Sequence, residues 1–179
     1  MEQIPLISGG PSLPAGMLFE PALISSEEEA RLLHGISCLQ FEPARYREWT
    51  AHRKVVVYPD AACIAPFLLS LRDQLATWCG IGPEDFCQVL INEYQPGVPL
   101  GWHRDAPDYE LIAGVSLAGP ARMRLRPSSA QSGGKALCHL DLPSRSAYVL
   151  SGDARWKWQH AISPVKALRY SLTFRTHCR

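Results

Sequence analysis

Residues 168–175 read Leu168-Arg169-Tyr170-Ser171-Leu172-Thr173-Phe174-Arg175, polar and apolar in strict alternation after the first leucine. In an extended chain successive side chains point to opposite faces. Arg169, Ser171, Thr173 and Arg175 therefore share one face, and Tyr170, Leu172 and Phe174 share the other. Facing solvent, this is an ordinary amphipathic strand. Facing the inside of a barrel, it buries two guanidinium groups that require anionic partners. The arginines stand about 20 Å apart along the strand. Long side chains can converge on one site from both ends, but the two have different roles there.

The second half of the chain has the same texture. Segments 86–94, 111–117, 122–126, 136–142, 147–150, 160–162 and 169–176 read as short strands, separated by Pro96-Gly97, Gly119-Pro120, Ser132-Gly133-Gly134 and Ser151-Gly152. Many short strands with such punctuation predict a sandwich or barrel. Ahead of them, Ser25-Ser26-Glu27-Glu28-Glu29 offers a serine cap with a glutamate three residues on, so a helix starts there and ends near Gly35. Leu68, Leu71, Leu75 and Trp78 recur at helical spacing, predicting a second helix over 62–79 with Gly80 just past its end. Val55, Val56 and Val57 favour a strand over 53–58, whereas 41–49, with Pro43, has no clear period. The predicted class is α+β, mainly β, a jelly-roll-like double sheet with the N-terminal helices packed on one sheet. One domain serves residues 1–179, with an irregular Pro- and Gly-rich arm at 1–16.

Composition narrows the function classes. A chain of 179 residues, 46% hydrophobic and 20% charged, buries a core without staples. No apolar run is long enough to predict a membrane span, and no leader pattern stands at the start. The cysteines at 38, 63, 79, 87, 138 and 178 form no C-x-x-C pair, so they read as free thiols of a cytoplasmic protein. A net charge of +1 means that any nucleic-acid surface is local. We expect no membrane partner, and a monomer.

His103-Arg104-Asp105 follows Gly101-Trp102. If 101–105 is extended, His103 and Asp105 point to one face and Arg104 points away. With His160 from another strand they form two imidazoles and a carboxylate, a set suited to iron(II). It leaves coordination positions open for oxygen and a chelating cosubstrate. An arginine beyond the last ligand suits a dicarboxylate there. By itself His-x-Asp is usually an ordinary hydrogen-bonded pair. His34, His52, His139 and His177 read as structural or exposed. Asn92 and Tyr94 share a strand face and offer hydrogen bonds to a carboxylate, or serve as plain strand residues.

Taken in order, Asn92-x-Tyr94-x-Pro96-Gly97, His103-x-Asp105, Val115-Ser116-Leu117, His160 and the run 169–175 resemble the AlkB family of iron(II)/2-oxoglutarate-dependent dioxygenases. The resemblance covers about residues 86–176, the candidate catalytic core. It implies a double-stranded β-helix in which His103, Asp105 and His160 hold iron(II). It implies that Arg169 pairs with the far carboxylate of 2-oxoglutarate and that Asn92 and Tyr94 also touch the cosubstrate. Arg175 would meet either the metal-side carboxylate or Asp105. Ser171 stands where some members have asparagine. The implied activity consumes O2 and 2-oxoglutarate, releases succinate and carbon dioxide, and removes alkyl or methyl groups from nucleic-acid bases by oxidative dealkylation, as in DNA or RNA repair. The base must leave its stack, so a single-stranded or flipped substrate is implied.

Family members grip nucleic acid with a lid ahead of the core, here about 41–58. That stretch carries Arg45, Tyr46, Arg47, Trp49, Arg53, Lys54 and Tyr58. Basic residues interleaved with aromatics bind phosphates and stack on bases, although a solvated loop and edge strand has the same composition. Trp49, Arg53, Lys54 and Tyr58 are the candidate substrate contacts. Some members carry an acidic residue two positions after the metal aspartate; this chain has Ala106-Pro107-Asp108, so Asp108 is a candidate one position late. Arg122, Arg124 and Arg126 alternate on another strand, ended by Pro127, and add to the basic surface. Two rival readings stand beside this one. The first is the same oxygenase chemistry on a protein side chain or small molecule. The second is a non-catalytic β-barrel that binds nucleic acid or a partner.

Overall fold

The structure, a computed structural model, describes residues 13–46, 49–128 and 138–177, with the side chains of 45–51 outside the description. The chain begins with β1 (Met17–Glu20), α1 (Ser26–Ser37), β2 (Glu42–Tyr46), β3 (Trp49–Tyr58) and α2 (Leu69–Cys79). Then follow β4 (Phe86–Tyr94), β5 (Leu100–His103), β6 (Tyr109–Leu117), β7 (Ala121–Pro127), β8 (Cys138–Leu142) and β9 (Ala147–Leu150). A short helix α3 (Gly152–Trp156), β10 (Trp158–Ile162) and β11 (Arg169–His177) complete it.

The strands form a seven-stranded sheet ordered β1-β9-β6-β11-β4-β3-β2 and a four-stranded sheet ordered β5-β10-β7-β8. All pairings are antiparallel. From β4 onward the chain crosses from sheet to sheet at nearly every connection. Among the described strands from β4 onward, only β7 and β8 follow one another within one sheet. That winding is the double-stranded β-helix, and it sets β5 and β10 of the small sheet against β4 and β11 of the large one.

Two apolar layers hold it. Leu32 and Ile36 of α1, Leu71 and Leu75 of α2, and Leu68 pack on Val89, Ile91, Val115, Leu172 and Phe174, so the helices cover the outer face of the large sheet. Between the sheets lie Ile112, Met123, Leu125, Leu142, Leu150 and Ile162. The apolar face of β11 thus meets the helices, and its polar face looks inward.

Three local expectations are corrected. Helix α1 runs past Gly35 to Ser37; a Cβ at Gly35 would overlap the Phe67 ring, so this glycine permits close packing rather than ending the helix. Its start is as predicted: Ser25 Oγ accepts from Glu28 N at 3.1 Å. The region 62–79 is not one helix. It is 3-10 turns at Ala61–Cys63 and Pro66–Leu68 followed by α2, because the residue before a proline is pushed out of the helical region, and Ala65 is extended. The stretch 41–58 is a hairpin, β2 pairing with β3 and β3 with β4, and Pro43 is accepted because β2 is an edge strand. Residues 1–12 of the expected arm lie outside the described residues.

Register decides which side chains reach the interior. The β4–β11 pairing slips between Arg175 and Thr176, where Arg175 faces Gln88 and Thr176 faces Phe86. The extra residue, Cys87, turns Phe86 to the helix side while Leu90, Asn92 and Tyr94 stay inside. On β6, Gly114 lies under the Tyr148 ring, and a Cβ there would fall within the ring's van der Waals radius. Gly→Ala in a compatible site stabilises by about 0.4–1 kcal/mol, while overpacking costs about 1–3 kcal/mol. Gly114→Ala should therefore lower the urea-unfolding free energy by about 1–2 kcal/mol; an unchanged or higher midpoint would show that Tyr148 is not held as described.

Candidate active site

Antiparallel pairing of β5 with β10 puts His103 directly opposite His160, with ring centroids 4.2 Å apart. Strand β5 ends at His103, so Asp105 belongs to the following turn rather than to an extended 101–105 segment. Its carboxylate reaches the same point nonetheless. One ligand atom from each of His103, Asp105 and His160 lies within 4.8 Å of the others. His103 Nδ1 sits 2.9 Å from Gly101 O; donation there leaves Nε2 bare for a metal. Asp105 divides its oxygens: Oδ1 accepts from Arg175 Nη2 at 2.6 Å, and Oδ2 lies 3.6 Å from His160 Nε2.

The electrostatics suit metal binding. Burial, reinforced by the neighbouring His103, pulls His160 down to about 3, so it is neutral at ordinary pH. Burial likewise pushes His103 down. For Asp105 burial opposes the charge, but His160, Arg175 and His103 outweigh it, and the carboxyl stays below its ordinary value. Two neutral imidazoles and one carboxylate are the protonation states that ligands need.

The polar face of β11 lines the same chamber. Arg175 is held at its other edge by Gln88 Oε1, 2.7 Å from Nη1. Arg169 is 1% exposed, and its surroundings are neutral: Nε donates to Ser116 Oγ at 2.9 Å, and Cζ stands 5.1 Å over the Tyr94 ring. Its Nη1 is buried without a hydrogen-bond partner. Burial pushes the Arg169 guanidinium down from its ordinary value, the sign of a cation short of an anion. Asn92, Tyr94, Ser171 and Tyr148 complete the inner chamber between Arg169 and the triad. Asn92 Oδ1 accepts from Arg53 Nε at 2.9 Å. Burial raises the Tyr148 phenol far above its usual range, so it remains a neutral hydroxyl.

Both cofactor components fit. The triad is a two-histidine, one-carboxylate set in which the second polar atoms of His103 and Asp105 are engaged by Gly101 O and Arg175. The orphaned Nη1 of Arg169 fits the far carboxylate of a dicarboxylate cosubstrate. Of the alternatives for Arg175, the structure shows the contact with Asp105.

The candidate substrate residues separate. Arg53 is buried and lines both the inner chamber and a second hollow beside the triad, bordered by Leu90, Leu100, Trp102 and Arg104. Lys54 pairs with Glu93 at 3.6 Å, and Tyr58 packs against the helix-side core, so both fall on the other face of β3 from Arg53. Alternation along 53–58 already separates them. Asp108 is exposed on the turn after Asp105. The Trp49 side chain, like those of Arg45, Tyr46 and Arg47, lies outside the described residues.

From sequence alone no role falls to Gln88, Tyr148 and Arg155, nor to Ser116 within the motif Val115-Ser116-Leu117. Ser116 was detectable as a lone hydroxyl in an apolar strand. Arg155, on the unforeseen α3, had no sequence signal. It is 3% exposed and holds the turn that carries Asp105: Nε donates to Tyr109 O at 3.0 Å, and Nη2 donates to Ala106 O at 2.6 Å and Asp105 O at 3.3 Å.

Comparison with known proteins agrees with this geometry. Residues 21–175 match the 2OG-Fe(II) oxygenase superfamily. An Arabidopsis thaliana protein named alkylated DNA repair protein ALKBH8 homolog is 38% identical over 90 residues, 42% of this chain and 26% of its own length. The solved structure of OsALKBH1 superposes with a TM-score of 0.69 at 14% identity, covering 93% of this chain and all of that one. A prolyl-4-hydroxylase from Pseudomonas putida has the same fold, with a TM-score of 0.64 at 18% identity over 92% of this chain and 93% of its own. The chain spans less than half the length of the curated relatives it matches.

Outer-shell partners of metal ligands are typically worth 10–100-fold in metal affinity. Arg155→Met should therefore weaken iron(II) binding by about 10–100-fold in an anaerobic titration while the circular dichroism spectrum stays native. Wild-type affinity would show that the turn holds Asp105 without the guanidinium.

Proposed function

The chain belongs to the 2OG-Fe(II) oxygenase superfamily as an AlkB-like member, and from that premise we propose that it removes alkyl groups from nucleic-acid bases by oxidative dealkylation. Its cofactor is iron(II), with 2-oxoglutarate and O2 as cosubstrates. One observation carries the reading: the triad lies between a chamber ending in an anion-deficient arginine and a hollow bordered by Arg53, Trp102 and Arg104.

When bound, iron with 2-oxoglutarate and O2 supplies the oxidising equivalent that hydroxylates a carbon attached to a base nitrogen, after which that carbon leaves as an aldehyde. The rest is the work of the chain's own side chains. His103, Asp105 and His160 hold the ion on one face. Arg169 takes the far carboxylate of the cosubstrate, with Tyr94, Asn92 and Ser171 along its flank. Arg175 helps to keep Asp105 ionised and engages its Oδ1, so that Oδ2 would be the oxygen left to hold the metal. Leu90, Leu100 and Ile162 supply the apolar part of an otherwise polar lining, and burial away from water strengthens these charge contacts. A base reaches the hollow only when unstacked, so the substrate is single-stranded or flipped. The Arabidopsis relative's name, alkylated DNA repair protein, supports this choice.

Action on a protein side chain or small molecule is the second reading. It is favoured by the net charge of +1 and by the exposed position of Asp108, which leaves the implied acidic base contact unmet. A purely binding barrel has no use for three converging ligand atoms with His103 and Asp105 already oriented by Gly101 O and Arg175.

With iron(II), ascorbate and 2-oxoglutarate, the protein should form succinate and strip methyl groups from single-stranded oligonucleotides, seen by mass spectrometry. His103→Ala should abolish both while leaving the fold intact; surviving turnover would overturn the ligand assignment. Succinate without any change in a panel of modified DNA and RNA would move the substrate to the second reading. Arg169→Met removes hydrogen bonds to a charged group worth about 1.5–3 kcal/mol, so the KM for 2-oxoglutarate should rise by about 10–150-fold. An unchanged KM would take the far carboxylate elsewhere.

A further inference from the structure

The outer face of the small sheet carries a row that the catalytic machinery does not use. Strand β7 turns Met123 and Leu125 inward, and so sends Arg122, Arg124 and Arg126 outward. Across β10, Arg126 is opposite Gln159 and Arg124 opposite Ala161, while His160 pairs with Leu125. The arginines therefore lie on the far side of the same sheet that presents His160. Trp102, next to the ligand His103, projects to that outer face. Arg126 Cζ stands 4.3 Å and Arg124 Cζ 5.1 Å from its ring centroid. Arg126 Nε donates to Gln159 Oε1 at 2.8 Å, and Arg124 Nε is buried without a partner. Arg122 is engaged by Asp141 at 2.6 Å.

We propose that Trp102, Arg126 and Arg124 form a phosphate track for the strand that carries the target base, a single-stranded polynucleotide. This rests on the dealkylase reading above. Stacking on an indole uses the flat face of a guanidinium and leaves its in-plane donors at the edge, the geometry that grips phosphate. The stacked side chains are ordered in advance, so less freedom is lost on binding. Alternate residues of a strand stand about 7 Å apart, a step comparable with that between successive phosphates of an extended single strand. The row is also continuous with the site. Strand β5 is the edge of the small sheet, and Trp102 both borders the hollow beside the triad and stacks with the arginines. A strand can lay its phosphates on the outer face and turn one base around the β5 edge towards His103 and Asp105.

The test is fluorescence anisotropy of labelled dT15 and U15 on iron-free protein across a salt series. We compare wild type, Arg124→Gln/Arg126→Gln, and Arg126→Gln alone in case the half-buried Arg124 matters to folding. Each phosphate contact to a single strand contributes about 0.7 to the slope of log K against log salt. The double variant should lose about 1.4 of that slope and Arg126→Gln about 0.7, with binding weaker at low salt and basal 2-oxoglutarate decarboxylation unchanged. Variants that match wild type in affinity and slope, while retaining that basal activity, would overturn the track and leave the dealkylase reading standing. If wild type binds neither oligonucleotide, the track fails, and the methyl-removal assay then decides whether the dealkylase reading fails with it.

Discussion

Everything in this fold depends on a polar strand face turned into an apolar sandwich. The inward side of β11 carries Arg169, Ser171, Thr173 and Arg175, and β4 and β6 flank it on both sides. Buried guanidinium groups are costly unless an anion meets them. At one end Asp105 does so, 2.6 Å from Arg175, and the same contact aims the carboxylate at the two imidazoles. At the other end the partners of Arg169 among the described residues, Ser116 and the Tyr94 ring, are neutral. On the proposed reading the end that has an anion is the metal site and the end that lacks one is the cosubstrate site, so one strand would specify both.

The small sheet supplies what the large one lacks. Cross-strand pairing brings His103 to His160, and period-two alternation turns Trp102 and the β7 arginines to the opposite surface. An edge strand with His103 on one face and Trp102 on the other joins the candidate metal site to the surface that carries Arg124 and Arg126. Arg155 ties the turn after β5 down from behind, through backbone carbonyls, so Asp105 is placed by a residue that never touches the metal.

Much of this was legible in the sequence because it obeys period two. The alternation of 168–175 assigns the faces of β11 correctly, and strand 86–94 coincides with β4 to the residue. The face of the arginines was open until the large sheet was seen to carry its helices on the other side. What escaped lacks a local signal. The break at Pro66 is passed over when the spacing that begins at Leu68 is extended back to Ala62. Gly35 looked like a stop signal because nothing in the sequence announces Phe67 above it. The hairpin over 41–58 was hidden by a proline that only an edge strand admits, and α3, with Arg155, is too short to show a period.

The central claim is that His103, Asp105 and His160 converge on a single ferrous ion. Anomalous X-ray scattering at the iron edge, from crystals loaded anaerobically, tests it most directly. The account requires one strong peak within bonding distance of His103 Nε2, Asp105 Oδ2 and His160 Nε2. A peak at any other cluster, or none at full loading, would contradict it.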